Sequence, residues 1–358
     1  MTEAHKADIQ LRDVEIKGFR GIAEGKLEGL SGLNVLVGRN DVGKSTILEA
    51  LYLASTGCDM DILGHVPLEY TVTRRGWFGL PSVSGLFLKD QKSCKISINF
   101  KDDARLEFLL QIDIPLSAHL EPLSLRGLNT EKLATIYSRT DGLFSRHYTH
   151  YFDSEGKYHM FREKEEGDVI KTLLLDWNDV SSYGGPEDYY SVMMDVGGID
   201  SKEMLLKILG ERYGIKDLSI LKKDNNWILY IIYEDRRVPI YLIGDGLRLA
   251  LAYLMLLSAA SEALLLLEEP ELHQHPGLLE LVAEAIVRSD KERNCQVILS
   301  THSVEFIDVL LSKAEKLNAL DDLSIYRISL IQSKLKVKRY TAEEARSLRK
   351  ELEFDLRR

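Results

Sequence analysis

The sequence is poor in residues that staple a fold together. It has three cysteines in 358 residues, Cys58, Cys94 and Cys295. An odd number without a close pair fits neither a disulfide framework nor a zinc cluster and points to a reducing compartment. Long apolar runs are missing as well, because a membrane-spanning helix needs about 20 such residues. The greasiest window, Leu249 to Leu267, is interrupted by Ser258, Ser261 and Glu262, and the opening MTEAHKADIQ has no apolar core of the secretory-signal type. A soluble, cytoplasmic chain with no membrane partner is expected. Positive charge is also in deficit: 46 Lys and Arg against 56 Asp and Glu leave a net charge of −10. That balance argues against a surface coated throughout with phosphate-binding cations. The deficit is uneven, since residues 331–358 hold nine Lys/Arg against five acids, which makes this stretch +4 and the remainder −14.

What is present is globular in composition, with 45% hydrophobic and 28% charged residues. The length fits two domains, or one with a large insertion, at about 150 residues per domain. Alternation in LRDVEIKGFRGI and the apolar run GLNVLVG predict strands. KSTILEALYLAST, residues 44–56, predicts a helix stopped by Gly57. Residues 60–92 read as loop with short elements. KISINF, RLEFLLQIDI and HYTHYFDSEGKYHMF turn to strand, with Ser154-Glu155-Gly156 as a hairpin turn. Residues 162–200 look like a connector. SKEMLLKILGERYG, residues 201–214, reads as a helix capped by Ser201. WILYIIYE and VPIYLI read as strands, followed by an apolar helix from about Leu247 to Ala260. The second half then alternates strand and helix: ALLLLEE, a helix near Gly277 to Ser289, CQVILST, and VEFIDVLLSKA. That alternation is the mark of a parallel sheet covered by helices.

Gly38-Arg39-Asn40-Asp41-Val42-Gly43-Lys44-Ser45 matches G-x-x-x-x-G-K-[ST] between a predicted strand and a predicted helix, the setting this phosphate loop requires. Its glycines let backbone N–H groups curl around phosphate oxygens, and the helix N-terminus adds partial positive charge. Lys44 would reach the β and γ phosphates of ATP, and the Ser45 hydroxyl would ligate Mg²⁺. Thr46 follows in the first turn. Such a loop needs a carboxylate at the end of a neighbouring buried strand; Leu264 to Leu267 followed by Glu268 and Glu269 supplies one. Glu268 would hold Mg²⁺, and Glu269 projects toward an attacking water. Gly244-Asp245-Gly246-Leu247-Arg248 opens the apolar helix and offers a second anion-receiving N-terminus. One phosphate loop per chain has no evident use for it, so a second copy of the chain is implied. Ser300-Thr301-His302-Ser303 ends the last buried strand, where an imidazole can contact a γ-phosphate or the attacking water.

GRNDVGKST, GDGLR, LLLLEEPELHQHP and LSTHS, in this order, resemble the ABC-type ATPases of the SMC, RecF and overcoming-lysogenization-defect (OLD) group, and IKGFRGI looks like the strand that opens such heads. The resemblance covers about residues 8–56 and 200–312. It implies an α/β head, a mixed parallel sheet with helices on its faces, carrying an antiparallel β-rich lobe. The implied domains are residues 1–58 (first half of the head, with Walker A), 59–200 (β-rich insertion), 201–330 (signature, Walker B, switch histidine) and 331–358 (a basic strand and helix). Two heads would join head to head around ATP and Mg²⁺, with Gly38 to Ser45 and Thr46 of one facing Gly244, Asp245, Gly246 and Arg248 of the other. Glu268 would be the Walker B metal residue, Glu269 the general base and His302 the switch histidine. The implied role is an ATP-driven dimerisation switch in DNA maintenance or anti-phage defence, with DNA and an effector nuclease as partners. Two positions depart from the pattern: Gly244 and Asp245 stand where a serine usually precedes the signature glycines, and Glu replaces Asp at 268, as is common in the OLD-like branch. Gln91 and Gln111 both remain candidates for the glutamine loop.

Other features point elsewhere. His273 and His275 form H-x-H, but the resemblance puts His275 in a loop lining the dimer contact rather than on zinc. Arg74-Arg75-Gly76-Trp77-Phe78 mixes cations and aromatics as a nucleic-acid surface does, yet a loop packed on the core is the simpler account. KLKVKRY with AEEARSLRKELEFDLRR reads as a solvated strand and an amphipathic helix. The stretch after the helix ending near residue 312 is too short for a TOPRIM-type nuclease domain, so the chain itself is not expected to cut DNA. A nucleotide-gated adaptor with little hydrolysis is the alternative function. A transporter ATPase is disfavoured by the missing LSGGQ-like signature.

Overall fold

The computed structural model describes residues 10–74, 83–89, 91–112, 132–139, 144–152, 158–164, 169–176, 185–223, 226–272, 276–352 and 355–357. The chain forms two compact units. One comprises Met1–Leu30, Asn40–Thr172 and Ile328–Val337, the other Ser31–Arg39, Leu173–Arg327 and Lys338–Arg358.

The first unit is built on antiparallel pairing. β1 (Leu11–Phe19) pairs with β2 (Ile22–Leu27) across the tight Arg20-Gly21 turn, and Val14, Ile16 and Phe19 are buried while Lys17 faces out. β3 (Leu33–Val37) belongs to the other unit. β4 (Ser93–Phe100) joins β1, and β5 (Arg105–Ile112), β6 (Lys132–Arg139), β7 (Phe144–Phe152) and β8 (Tyr158–Lys164) follow in an unbroken meander. The strand-rich middle of the sequence therefore extends the N-terminal hairpin directly. The predicted turn at residues 154–156 lies outside the described residues. β6, KLATIYSR, escaped prediction because it carries no clean alternation.

Helix α1 (Lys44–Thr56) packs in this unit and ends, as predicted, on Gly57 in the left-handed conformation. Tyr52 donates to Asp61 at 2.7 Å, and the Thr172 hydroxyl donates to Ser55 at 2.9 Å. A short helix, α2 (Pro67–Thr73), is one of the short elements expected in this loop-rich stretch, started by Pro67 at its first position. Glu49 of α1 is fully buried between two arginines. Arg20 Nε lies 2.6 Å from its Oε2, an ion pair rather than an aligned hydrogen bond, and Arg74 Nη1 lies 3.3 Å from its Oε1. Arg74 thus serves the core of this unit; residues 75–78 lie outside the described set.

The second unit holds the parallel sheet. β9 (Thr172–Leu175), α3 (Pro186–Val192), a π-helical turn (Met193–Gly197) and α4 (Gly198–Tyr213) occupy the stretch expected to be a connector. Ser201 is buried inside α4 rather than capping it, and accepts from Arg293 at 2.8 Å. The helix begins earlier because the preceding π turn runs straight into it, a continuation that hydrophobic periodicity does not report. A small sheet of β10 (Asp217–Lys223), β11 (Asn226–Ile232) and β12 (Arg237–Pro239) follows. VPIYLI leaves the strand at Ile240 for a 3-10 turn, so only its first residues pair. Then come α5 (Asp245–Ala259), β13 (Leu264–Glu268), α6 (Pro276–Arg293), β14 (Gln296–Ser300) and α7 (Val304–Lys316). β15 (Leu323–Ile331) and β16 (Lys334–Thr341) form a hairpin whose turn residues Gln332 and Ser333 both have positive φ, as two-residue hairpin turns require. α8 (Ala342–Leu352) closes the order, its start fixed by a reciprocal Thr341–Glu344 capping box.

Within this unit the neighbours run β15, β3, β14, β13, β9, and the first four are parallel. Their residues are buried almost without exception, the continuous apolar pattern of a sheet covered on both faces. Among the buried polar residues of these strands is Asn34, with its amide oxygen accepting from Ser31 N and its amide nitrogen donating to the Ser31 and Val297 carbonyls. Among the described residues no helix is long and apolar enough to cross a membrane.

The buried Arg20–Glu49–Arg74 cluster makes a stability prediction. Glu49→Ala strands two cations in the first unit and should cost about 3–5 kcal/mol in urea unfolding. Glu28→Ala, which removes the exposed Lys26–Glu28 pair, should leave the midpoint where it is.

Candidate functional site

The parallel register aligns the candidate residues of the second unit. Glu268 of β13 stands opposite Ser300 of β14, which stands opposite Leu36 of β3. Because these strands are parallel, the chain leaves all three at one edge: into Glu269, into Thr301-His302, and through Val37 into Gly38. Tyr326 of β15 completes that row opposite Leu36, and Arg327 pairs with Val37 one residue beyond it, a cation at this edge that sequence reasoning missed because β15 itself went unrecognised. Buried LSIYRISLI has the apolar character of its neighbours and could have been found on that ground.

Glu269 has a left-handed backbone, φ 47°, which costs a non-glycine residue about 1–3 kcal/mol. Two bonds hold it there: its N–H donates to the Ser300 carbonyl at 3.0 Å, and its carbonyl accepts from Leu272 N at 3.0 Å. Pro270 occupies the second position of that turn, where a fixed φ is favourable. The consequence is that the Glu269 carboxylate turns to the imidazole of His302, Oε1 to Nε2 at 3.2 Å, with both side chains about one-third exposed. His302 is set by its own flanks. Thr301 N donates to the Leu36 carbonyl at 3.1 Å, and Ser303 caps α7 by accepting from Phe306 N at 3.0 Å.

Glu271 is the second residue of this site that sequence reasoning passed over. Its Oε1 accepts from the Thr301 hydroxyl at 2.5 Å and from His302 N at 3.3 Å, whereas its Oε2 is sealed from solvent and has no hydrogen-bond partner among the described residues. Burial pushes the Glu271 carboxyl above its usual range, and the nearby charge of Glu269 adds to the rise, against the Thr301 and His302 hydrogen bonds. The E-P-E spacing after the Walker-type strand is the signal that could have found it.

The phosphate-loop motif is shared between the units, Gly38 and Arg39 with the second, Asn40 to Ser45 with the first. Gly43 is the residue before α1 and has φ 94°, so a side chain there would be strained although nothing crowds the space. Asp41 is also left-handed, φ 60°, and Arg39, Asn40 and Asp41 are exposed while Lys44 is buried. Val42, Ser45 and Thr46 are half-buried. The first turn of α1 contains no acid, which leaves its positive end uncompensated. In the second unit Gly244 caps α5, which begins at Asp245. A Cβ on Gly246 would come 3.2 Å from Leu278 Cδ1, so the glycine permits a close approach of α6. Gln91 precedes β4 and Gln111 lies on β5, in the first unit. His273 and His275 lie outside the described residues.

Linkage gives the site a pH signature. A carboxyl raised in the folded state stabilises fully below its ordinary value of 4.5, and that contribution fades as pH climbs through the raised value. Glu271→Gln removes the titration and keeps the acceptor for Thr301 and His302. Urea midpoints measured side by side should show the variant gaining on the wild type as pH rises from below 4.5 through the raised value; a constant difference would contradict the assignment.

Comparison with known proteins places these residues in a family. A model described as "AAA domain, putative AbiEii toxin, Type IV TA system" matches residues 33–308, from the first residue of β3 to the helix that follows His302. An uncharacterized protein of Methanocaldococcus jannaschii is 27% identical over 228 residues, covering 63% of this chain and 97% of that one. A protein of Helicobacter pylori described as an ATP/GTP phosphatase is 22% identical over 329 residues, 84% of this chain and 87% of its own. Among solved structures, an Smc head bound to the C-winged helix domain of ScpA superposes with a TM-score of 0.55 at 16% identity, covering 94% of this chain and 99% of that one, which shows the fold. The phosphate-loop motif, the mixed sheet and the span of the family match agree: the chain belongs to this AAA-domain family and is a P-loop ATPase domain with the fold of an SMC head.

Proposed function

We propose that the protein binds ATP with Mg²⁺, hydrolyses it, and uses the cycle to clamp and release a second copy of itself. The observation that carries this reading is the Glu269–His302 pair, a carboxylate and an imidazole 3.2 Å apart at the edge of the sheet from which β3 runs into Gly38. A carboxylate held by its own strained turn and touching an imidazole can take a proton from water and share the resulting charge with its neighbour.

The other roles follow from chemistry. Backbone N–H groups of Gly38 to Lys44 and the amino end of α1 suit a polyphosphate. Lys44 neutralises phosphate charge, Ser45 and Thr46 supply hydroxyls, and Ser45 with Glu268 would hold Mg²⁺. A hydroxyl and a carboxylate are oxygen donors of the kind this hard cation takes, and the ion would withdraw charge from phosphate oxygens. Glu268 is half-exposed at the end of four buried leucines. Gly244 to Arg248 would receive the γ-phosphate of a partner's nucleotide, relying on backbone N–H groups and Arg248 in place of the usual serine. A partner effector such as a nuclease, and DNA, remain part of the proposal through the resemblance to the SMC, RecF and OLD group. The basic stretch 331–358 contributes less to DNA than its charge suggests, because Arg346 and Arg349 are already paired with Glu315 and Asp308.

Glu269→Gln tests the reading. Loss of the general base should lower kcat by about 10²–10⁴-fold, while nucleotide binding persists and the ATP-bound dimer accumulates in size-exclusion chromatography with Mg²⁺. An unchanged hydrolysis rate and no trapped dimer would refute it.

A further inference from the structure

His302 sits in a three-residue link between β14 and α7, and both polar groups of its backbone are taken by side chains from elsewhere. Its N–H donates to Glu271 Oε1, and its carbonyl accepts from Arg357 Nη1 at 2.7 Å. Arg357 is itself held firmly. Its Nε and Nη2 donate to the two oxygens of Asp355 at 2.7 and 2.9 Å, the fork geometry that only a guanidinium offers, and Leu356 between them is fully buried. The preceding helix is fixed to the helix that His302 leads into. Arg349 reaches both oxygens of Asp308, at 2.9 and 2.7 Å, and Arg346 reaches Glu315 at 2.5 Å. Three cations of the stretch that reads from sequence as a basic amphipathic helix therefore face α7 and the His302 link.

We propose that Arg357 is a positioning residue for His302: by holding the His302 carbonyl it sets the peptide plane, and through it the direction in which the imidazole meets Glu269. The inference rests on the proposed catalytic pairing of Glu269 and His302, and it adds a control point, since anything that lifts Asp355–Arg357 frees the histidine. A charge-assisted bond at 2.7 Å is among the stronger ones a backbone carbonyl accepts. The ring is far more sensitive than the fold: misplacement by about 1 Å can cost up to about 10²-fold in rate.

The experiment compares the full chain with Arg357→Ala, Arg357→Lys, His302→Ala and the Arg357→Ala/His302→Ala double variant. Arg357→Ala should lower kcat about tenfold with the KM for ATP unchanged. Arg357→Lys, which keeps one donor, should recover part of the loss. In the His302→Ala background, Arg357→Ala should cost nothing further, whereas a general loosening of the fold would add its own decrement. A second readout does not depend on turnover. Among the nine histidines, the ring resonance that disappears in His302→Ala should move in Arg357→Ala and return toward its original position in Arg357→Lys. An unmoved His302 resonance, or additive losses in the double variant, would overturn the proposal. If His302→Ala hydrolyses ATP at the wild-type rate, the catalytic reading falls instead, and the resonance comparison still decides what Arg357 does.

Discussion

The register of three parallel strands is the constraint on which the site depends. Backbone hydrogen bonds set Glu268, Ser300 and Leu36 in one row, and Glu269, His302 and Gly38 all leave the sheet within two residues of it. A slip of one residue in β13 would turn Glu268 into the core and a leucine toward the edge, because side chains alternate faces. Such a slip is expensive because it would carry the Glu268 carboxylate into a row that a buried leucine occupies. The apolar run and the carboxylates that end it thus belong to one design: Leu264–Leu267 fill the interior, and the charge that follows marks where the strand must leave it.

Much of this was legible in the residues. α1 could be read to its ends because its apolar spacing is regular and Gly57 stops it. β13, β14 and α7 were equally plain, since a fully buried strand between helices has a composition nothing else shares. The failures have physical causes. β9, four residues long, sits in a charged and glycine-rich stretch whose average hides it. α4 starts ahead of Ser201 because a π turn feeds it, and Ser201 serves Arg293 instead of a helix end. The last stretch reads as a solvated strand and an amphipathic helix, and β16 and the helix after it have that form; what net charge does not report is that Arg346, Arg349 and Arg357 are paired with Glu315, Asp308 and Asp355. Glu271 was passed over because a third glutamate beside two functional ones reads as repetition until its hydrogen bonds are seen.

The three glutamates of the 268–271 turn carry different burdens, and their surroundings explain why one short stretch tolerates them. Glu268 and Glu269 keep part of their surface in water, and Glu269 lies against an imidazole. Glu271 has one oxygen satisfied twice and the other sealed, so its ionised form is the costly one, and raising its proton affinity lowers the charge of the turn.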